Sequence, residues 1–283
     1  MQQRLLHIIC AALTLTCLAC RSQRNVAVNV ATAEVTVATF NMRCQVPEDN
    51  PGNNWSYRRH RIADFIASRG IDVVASQELV GSQDSSLLVL MPAYGEVRDA
   101  DGVNAIFYRR DAVEPVRQGC FALSEQPEVI GSKGWDGAYP RLALWVVMRH
   151  RSSCREFVII NTHLDHLGEV ARREGAKLIV NRLHKIAGKL PTIVTGDFNT
   201  DNTGDAYKTM SAVLTDANVA AQQRIGANYT WHNFGRLPMN RRSTIDFVMV
   251  SSNVSPKLVE VPHECPGAML SDHNPIISTL LLH

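Results

Sequence analysis

Repeatedly along this chain a short apolar, β-branched run meets a carboxylate, a carboxamide or an imidazole at one of its ends. Val35-Thr36-Val37-Ala38-Thr39-Phe40 delivers Asn41, and Ile71-Asp72-Val73-Val74-Ala75 delivers Ser76-Gln77-Glu78. Glu156-Phe157-Val158-Ile159-Ile160 delivers Asn161-Thr162-His163-Leu164-Asp165-His166, and Pro191-Thr192-Ile193-Val194 delivers Gly196-Asp197-Phe198-Asn199. Ser271-Asp272-His273-Asn274-Pro275 stands ahead of the closing run from Ile276 to Leu282, and Asp246 lies within the apolar run Thr244 to Val250. Runs of this length and composition are buried strands. A buried carboxylate such as Asp246 costs several kcal/mol unless it has a partner. The sequence thus repeats one design without repeating its letters: a strand, then polar residues at its end. Within that pattern Asp197 and Asn199, and likewise Asn161 and His163, are two residues apart and share a face on a continuing strand. Alone, Gly-Asp-Phe-Asn is also an ordinary turn composition; its company is what separates it from one.

The segments between the strands read as helices and loops. Asn54 or Ser56 caps a helix carrying Ile62, Phe65 and Ile66 at helical spacing until Gly70, and Gln83 to Met91 forms another. Val170, Ala176, Ile179, Val180, Leu183 and Ile186 keep helical spacing until Gly188, and Asp205 to Leu214 is a further helix. Asn104 to Tyr108 is a strand, and Arg141 to Met148 pairs with the run from Glu156 as a hairpin around a polar turn. Asp49 to Asn54, Gln126 to Tyr139 and Asn228 to Leu237 are loops, where specificity resides.

At the start, Met1-Gln2-Gln3-Arg4, an apolar run from Leu5 to Ala19 and then Cys20 make an export signal too short for a comfortable membrane span. Leu18-Ala19-Cys20 also resembles the end of a bacterial lipobox, with Cys17 where a Leu is usual. The chain is thus expected to be exported to the cell envelope or periplasm and lipid-anchored at Cys20, or else secreted. We expect a signal peptide over 1–20, a short tether over 21–34 and a single domain over 35–283, monomeric, with membrane contact only through that anchor. About 260 residues remain, enough for one α/β domain with a large core. Hydrophobic content of 45% and charged content of 20% are those of a globular chain. Cys44, Cys120, Cys154 and Cys265 are spaced too widely for a zinc pattern, and export allows one or two disulfides among them.

The polar strand ends supply hard oxygen ligands and imidazoles, with no thiolate cluster. That inventory suits Mg²⁺ or Mn²⁺, the usual partners of phosphate substrates. Zinc-protease spacing and a Gly-x-Ser-x-Gly elbow are both missing from the sequence. A net charge of +2 does not indicate wholesale nucleic-acid binding, although Arg58-Arg59-His60-Arg61, Arg172-Arg173 and Arg241-Arg242 are local patches suited to phosphates.

Taken together, Asn41, Gln77-Glu78, Asn161-Thr162-His163-Leu164-Asp165-His166, Gly196-Asp197-Phe198-Asn199, Ile245-Asp246-Phe247-Val248 and Ser271-Asp272-His273-Asn274-Pro275 resemble the signature of the endonuclease/exonuclease/phosphatase superfamily. That group spans DNase I-like nucleases, deadenylases, sphingomyelinases and inositol-polyphosphate 5-phosphatases. The resemblance implies a four-layer α/β/β/α sandwich, with two mixed sheets face to face and helices outside. It implies a metal-dependent hydrolase of a phosphodiester or a phosphomonoester, with a secreted Mg²⁺-dependent nuclease or a non-catalytic binding module as alternatives. By position, Glu78 is then the principal metal ligand with Asn41 and Asp272 beside it in its first or second shell. Asp197 orients or deprotonates the attacking water, and Asn199 holds that water or a phosphate oxygen; His273, oriented by Asp246, meets a phosphate oxygen, and Asn161 and His163 add contacts to the phosphoryl group or the leaving oxygen. Arg141 is either a further phosphate contact or half of a structural ion pair.

Overall fold

The computed structural model describes residues 32–283 apart from positions 48, 50 and 102. The expected leader and all but the end of the expected tether lie outside the described residues. The strands are β1 (Ala33–Asn41), β2 (Val73–Gln77), β3 (Tyr94–Arg98), β4 (Ala105–Arg109), β5 (Val113–Ala122), β6 (Leu142–His150), β7 (Glu156–His163), β8 (Thr192–Asp197), β9 (Thr215–Asp216), β10 (Gln223–Gly226), β11 (Asp246–Val250), β12 (Val254–Val261) and β13 (Ile276–Leu282). Helices are α1 (Trp55–Ser68), α2 (Gln83–Leu90), α3 (Glu169–Ala187), α4 (Asp205–Ser211) and the short α5 (Ala217–Ala220). β1 begins at Ala33, two residues ahead of the expected Val35, because its pairing with β13 extends to Leu282.

Two mixed sheets result, in the orders β10-β12-β13-β1-β2-β4-β3 and β5-β6-β7-β8-β11-β9. β1 runs parallel to β2 and antiparallel to β13, while β7 runs parallel to β8 and antiparallel to β6. Alternation along each strand sorts its side chains between cores. Val35 and Val37 of β1, Val73 and Ala75 of β2, Phe157 and Ile159 of β7, Ile193 of β8 and Val248 and Val250 of β11 fill one core between the sheets. Their neighbours of opposite parity face outward: Phe40 and Val74 pack with Ile62 and Ile66 of α1, and Val158, Ile160, Val194 and Phe247 pack with Ile179 of α3 and Met210 of α4. Helix, sheet, sheet and helix thus form the four layers, as expected of two sheets that are apolar on both faces and need cover on each.

This alternation also positions the site. Continuing the inner parity of each strand leads from Val37 to Asn41, from Ala75 to Gln77, from Ile159 to Asn161 and His163, from Ile193 to Asp197, and from Val248 back to Asp246; all of these residues are buried. One end of the inter-sheet layer therefore changes from aliphatic to polar. Cys44, Cys120, Cys154 and Cys265 are all free, so the disulfides that export would allow do not form among them. No helix among the described residues is long and apolar enough to cross a membrane.

Candidate active site

At that polar end a cleft of about 1220 Å³ opens, lined among others by Arg43, Glu78, Arg141, His163, Asp197, Asn199, Asp272 and His273. Asn41 ties its two carboxylates together: Nδ2 donates to Glu78 Oε1 at 3.0 Å and to Asp197 Oδ2 at 3.0 Å. Glu78 Oε2 accepts from the Cys44 amide at 3.1 Å, and Asp197 Oδ1 accepts from the Asn199 amide at 2.8 Å. Asn199 Nδ2 donates to the Leu164 carbonyl and lies 2.9 Å from His163 Nε2. A nitrogen that donates fixes His163 Nε2 as the acceptor, so this ring is a neutral tautomer that holds Asn199. On the far side His273 Nδ1 sits 2.8 Å from Asp246 Oδ2, and His273 Nε2 points toward Asp197 Oδ2 at 3.9 Å.

Several of these residues hold unusual backbones. Arg43, Glu78 and Asn199 have φ of 55°, 65° and 50°, a region that costs a non-glycine residue on the order of 1 kcal/mol or more. At Gly196, where φ is 152°, an added Cβ would stand 2.1 Å from the Thr162 carbonyl oxygen, so only glycine lets β8 pass β7 closely enough to present Asp197.

Electrostatics separate the roles. Burial disfavours a charged His273, but the Asp246 carboxylate and its hydrogen bond, with Asp197 and Asp272 behind, outweigh burial and hold the imidazolium up to about 10. For His163 burial wins, reinforced by Arg141, and the ring falls to about 4 against the pull of Asp197 and Glu78. Burial would raise Glu78; the two imidazoles and the hydrogen bonds from Asn41 and Cys44 overcome it and hold the carboxyl down at about 2. Asp197 goes the other way, raised by burial and then by the nearby Asp246 charge. One carboxylate thus stays ionised while its neighbour gains proton affinity.

The donor set fits a hard divalent cation. Glu78 and Asp272 present carboxylates to the cleft, and burial together with Glu78 pushes the adjacent Cys44 thiol up to about 11, so it contributes no soft thiolate. Among the described residues, the tightest group of potential ligand atoms is instead Asp197, Asp246 and His273, within 4.8 Å of one another. His273 Nδ1 is already committed to Asp246 Oδ2 at 2.8 Å, and the trio reads as an ion-paired relay.

The structure places three of the expected residues in detail. Asn161, expected to touch the phosphoryl group, is wholly enclosed: its Oδ1 accepts from Gln77 Nε2 at 2.6 Å and its Nδ2 donates to the Ser76 and Ala105 carbonyls. It joins the two sheets and has nothing left for substrate. Asn41, expected beside the metal in its first or second shell, turns its amide nitrogen to both carboxylates and its Oδ1 to the Arg43 amide, so it positions Glu78 and Asp197. Arg58, expected to grip phosphate, is fully buried and donates to the carbonyls of Asn53, Met42, Leu270 and Arg43. Arg172 donates to the Asp165 carbonyl and Arg242 pairs with Glu264, so these patches also serve the fold. Among the cleft residues that sequence reading passed over are Arg43 and Cys44, whose only signal was proximity to Asn41, and Asp101 and Asp201, which lie in loops.

Two face-to-face mixed sheets with outer helices, and a buried His-Asp pair beside a second carboxylate at their shared end, define a DNase I-like sandwich of the phosphoesterase class. The sequence profile of the Endonuclease/Exonuclease/phosphatase family matches residues 38–273, and the chain belongs to that family. A Bacteroides vulgatus endonuclease/exonuclease/phosphatase structure is 38% identical, with a TM-score of 0.85 over 89% of this chain and 100% of that one. A Bacteroides thetaiotaomicron structure described as a mannosyl-6-phosphatase is 32% identical, with a TM-score of 0.80 over 87% of this chain and 99% of that one. Nocturnin of Drosophila melanogaster is 28% identical over 174 residues, 55% of this chain but only 26% of its own length.

Proposed function

We propose that this chain is a divalent-metal-dependent phosphoric ester hydrolase that delivers water directly to phosphorus. The observation that carries the reading is the His273–Asp246 pair set beside Asp197, with Glu78 held ionised across the same cleft. Glu78 and Asp272 would hold the ion, Mg²⁺ or Mn²⁺, which when bound supplies Lewis-acid polarisation of a phosphoryl oxygen. Asp197 takes the proton of the attacking water, a task suited to a carboxylate whose proton affinity is raised. Asn199 keeps Asp197 in place through its amide and keeps His163 in one tautomer. His273, charged at neutral pH, donates from Nε2 to the phosphoryl oxygen where negative charge grows. The phosphorus–oxygen bond to the leaving group breaks opposite the water, with no covalent enzyme intermediate.

The relative described as a mannosyl-6-phosphatase supports a phosphorylated sugar as the substrate class. Nucleic acid is disfavoured because Asp101 and Asp201 stand on the cleft wall, where a polyanion would meet like charge. With this reading goes an exported, monomeric enzyme acting on small phosphate esters outside the cytoplasm.

The test uses EDTA-treated protein, assayed on p-nitrophenyl phosphate and on bis-(p-nitrophenyl) phosphate, with Mg²⁺ or Mn²⁺ restored. Activity should vanish with the chelator and return with metal, and His273→Ala should lower turnover by ~100-fold or more. Hydrolysis that survives EDTA, or a folded His273→Ala protein of near wild-type rate, would overturn the assignment.

A further inference from the structure

Arg141 is a cation on the cleft wall with hydrogen-bonding capacity left over. Arg141 stands just ahead of β6, with its side chain 14% exposed, next to His163 and His166. Its apparent partner, Asp165, lies 3.6 Å from Nε and is already satisfied. Asp165 Oδ2 accepts from the amides of Ala138 and Tyr139, and Oδ1 from those of Leu167 and Gly168, at 2.8 to 3.1 Å. A carboxylate has about four lone-pair sites, and here each has an amide. Accordingly Arg141 Nε is buried without a hydrogen-bond partner, and Nη2 makes only a long contact of 3.4 Å to His166 Nδ1.

Of the other guanidiniums near the cleft, Arg58 gives its donors to four carbonyls, and Arg43, whose Nε also lacks a hydrogen-bond partner, is flanked by two carboxylates, Asp49 and Asp272, at 3.6 and 3.8 Å. His163 contacts Asn199 and lies 3.5 Å from Asp197, so the positive charge of Arg141 flanks the reacting centre on the side away from Asp246 and His273.

A phosphomonoester at neutral pH carries close to two negative charges and three terminal oxygens, whereas a diester carries one charge and two such oxygens. The extra oxygen calls for a further cation with paired donors, which a planar guanidinium provides. We propose that Arg141 binds the terminal oxygens of a phosphomonoester dianion and makes this cleft selective for monoesters over diesters. The proposal rests on the phosphoric ester hydrolase reading and fixes which ester it cleaves. Tyr139, 62% exposed and stacked on His166 with centroids 5.7 Å apart, places an aromatic face beside that position for the rest of the substrate.

The full chain and its Arg141→Ala and Arg141→Lys variants would be compared on p-nitrophenyl phosphate and on bis-(p-nitrophenyl) phosphate. Calorimetric titration with inorganic phosphate in the presence of Mn²⁺ gives a second readout without turnover. Wild type should prefer the monoester. Arg141→Ala should lose ~100-fold in kcat/KM on it, and change by no more than ~3-fold on the diester. Phosphate should bind correspondingly more weakly, and lysine should restore only part of the loss because it lacks the fork. Melting temperatures should stay close to wild type, since Asp165 retains its four amides. Equal losses on both esters, a wild-type preference for the diester, or unchanged phosphate affinity in Arg141→Ala would each sink the proposal. If wild type hydrolysed neither ester, the underlying hydrolase reading would fall, and phosphate titration would still judge Arg141.

Discussion

Replacing Asp246 by Asn tests the electrostatic logic of the site with little change in shape. In the native protein the imidazolium of His273 is held from its ordinary 6.5 up to about 10, against burial that pulls the other way. At 1.36 kcal/mol per tenfold, this amounts to on the order of 4–5 kcal/mol in favour of the protonated ring. Asp246 supplies the largest favourable part, through its charge and its 2.8 Å hydrogen bond. With Asn in its place the charge is gone and burial decides, so His273 becomes neutral at pH 7.5. Loss of a charged donor aimed at a developing oxyanion costs ~100- to 1000-fold in turnover. The variant should therefore fall by that factor at pH 7.5 and recover as the pH is lowered toward 5.5, where a neutralised imidazole regains its proton. Wild type should show no loss of this donor until the pH approaches 10. The assay is a pH–rate profile, joined to ¹⁵N NMR of the histidine rings to follow His273 itself. A variant whose profile and His273 titration match wild type would refute the reasoning.

Other expectations are independent of the chemistry. Arg58→Lys leaves four buried carbonyls facing a point charge that cannot span them; it should lower stability by ~3 kcal/mol or more and the melting temperature by roughly 10 °C, and an unchanged melt would contradict that role. Burial, then the adjacent Asp84 charge, pushes Glu96 up to about 7 against the pull of Arg98. A raised carboxyl favours the folded state below its unfolded value near 4.5 and loses that advantage as pH rises through 7. Glu96→Gln should therefore be the more stable protein at pH 8, by ~1–3 kcal/mol in urea melts, and no better than wild type at pH 4.5. Gly196→Ala drives a methyl into the Thr162 carbonyl and should cost ~2 kcal/mol or more, measurable in the same melts. Mn²⁺ should raise the melting temperature of wild type and leave Glu78→Gln nearly unmoved; equal shifts would remove Glu78 from the metal site.

The strands legible in the sequence are the interior ones, where Val and Ile alternate against two apolar layers. Those that went unread are β3, β5, β9, β10 and β12, and the first four are sheet edges. An edge strand has one covered side at most: β10 is exposed along its length, and β5 carries an exposed polar stretch and a register shift after Pro115. β12, beside β10, has a similar shift after Pro256. In the site, the family signature grouped Asn41, His163, Asp197 and Asp246, and the inner parity of their strands is what brings them together in the fold. What parity could not show is how each polar group is used. Asn161 and His163 share a face, yet one is enclosed between the sheets and the other reaches the cleft wall. Nor do letters reveal that Arg43, Glu78 and Asn199 adopt left-handed backbones, since nothing about an Arg or a Glu announces that conformation.

The last strand, β13, runs between β12 and β1 near the middle of its sheet, and His273 stands three residues before its first residue, Ile276. A polypeptide still emerging from the ribosome thus lacks both a central strand of its sheet and the imidazole that pairs with Asp246. The earlier strands cannot complete the cleft among themselves, so it closes only after Ser271 to Leu282 is joined and laid between β12 and β1.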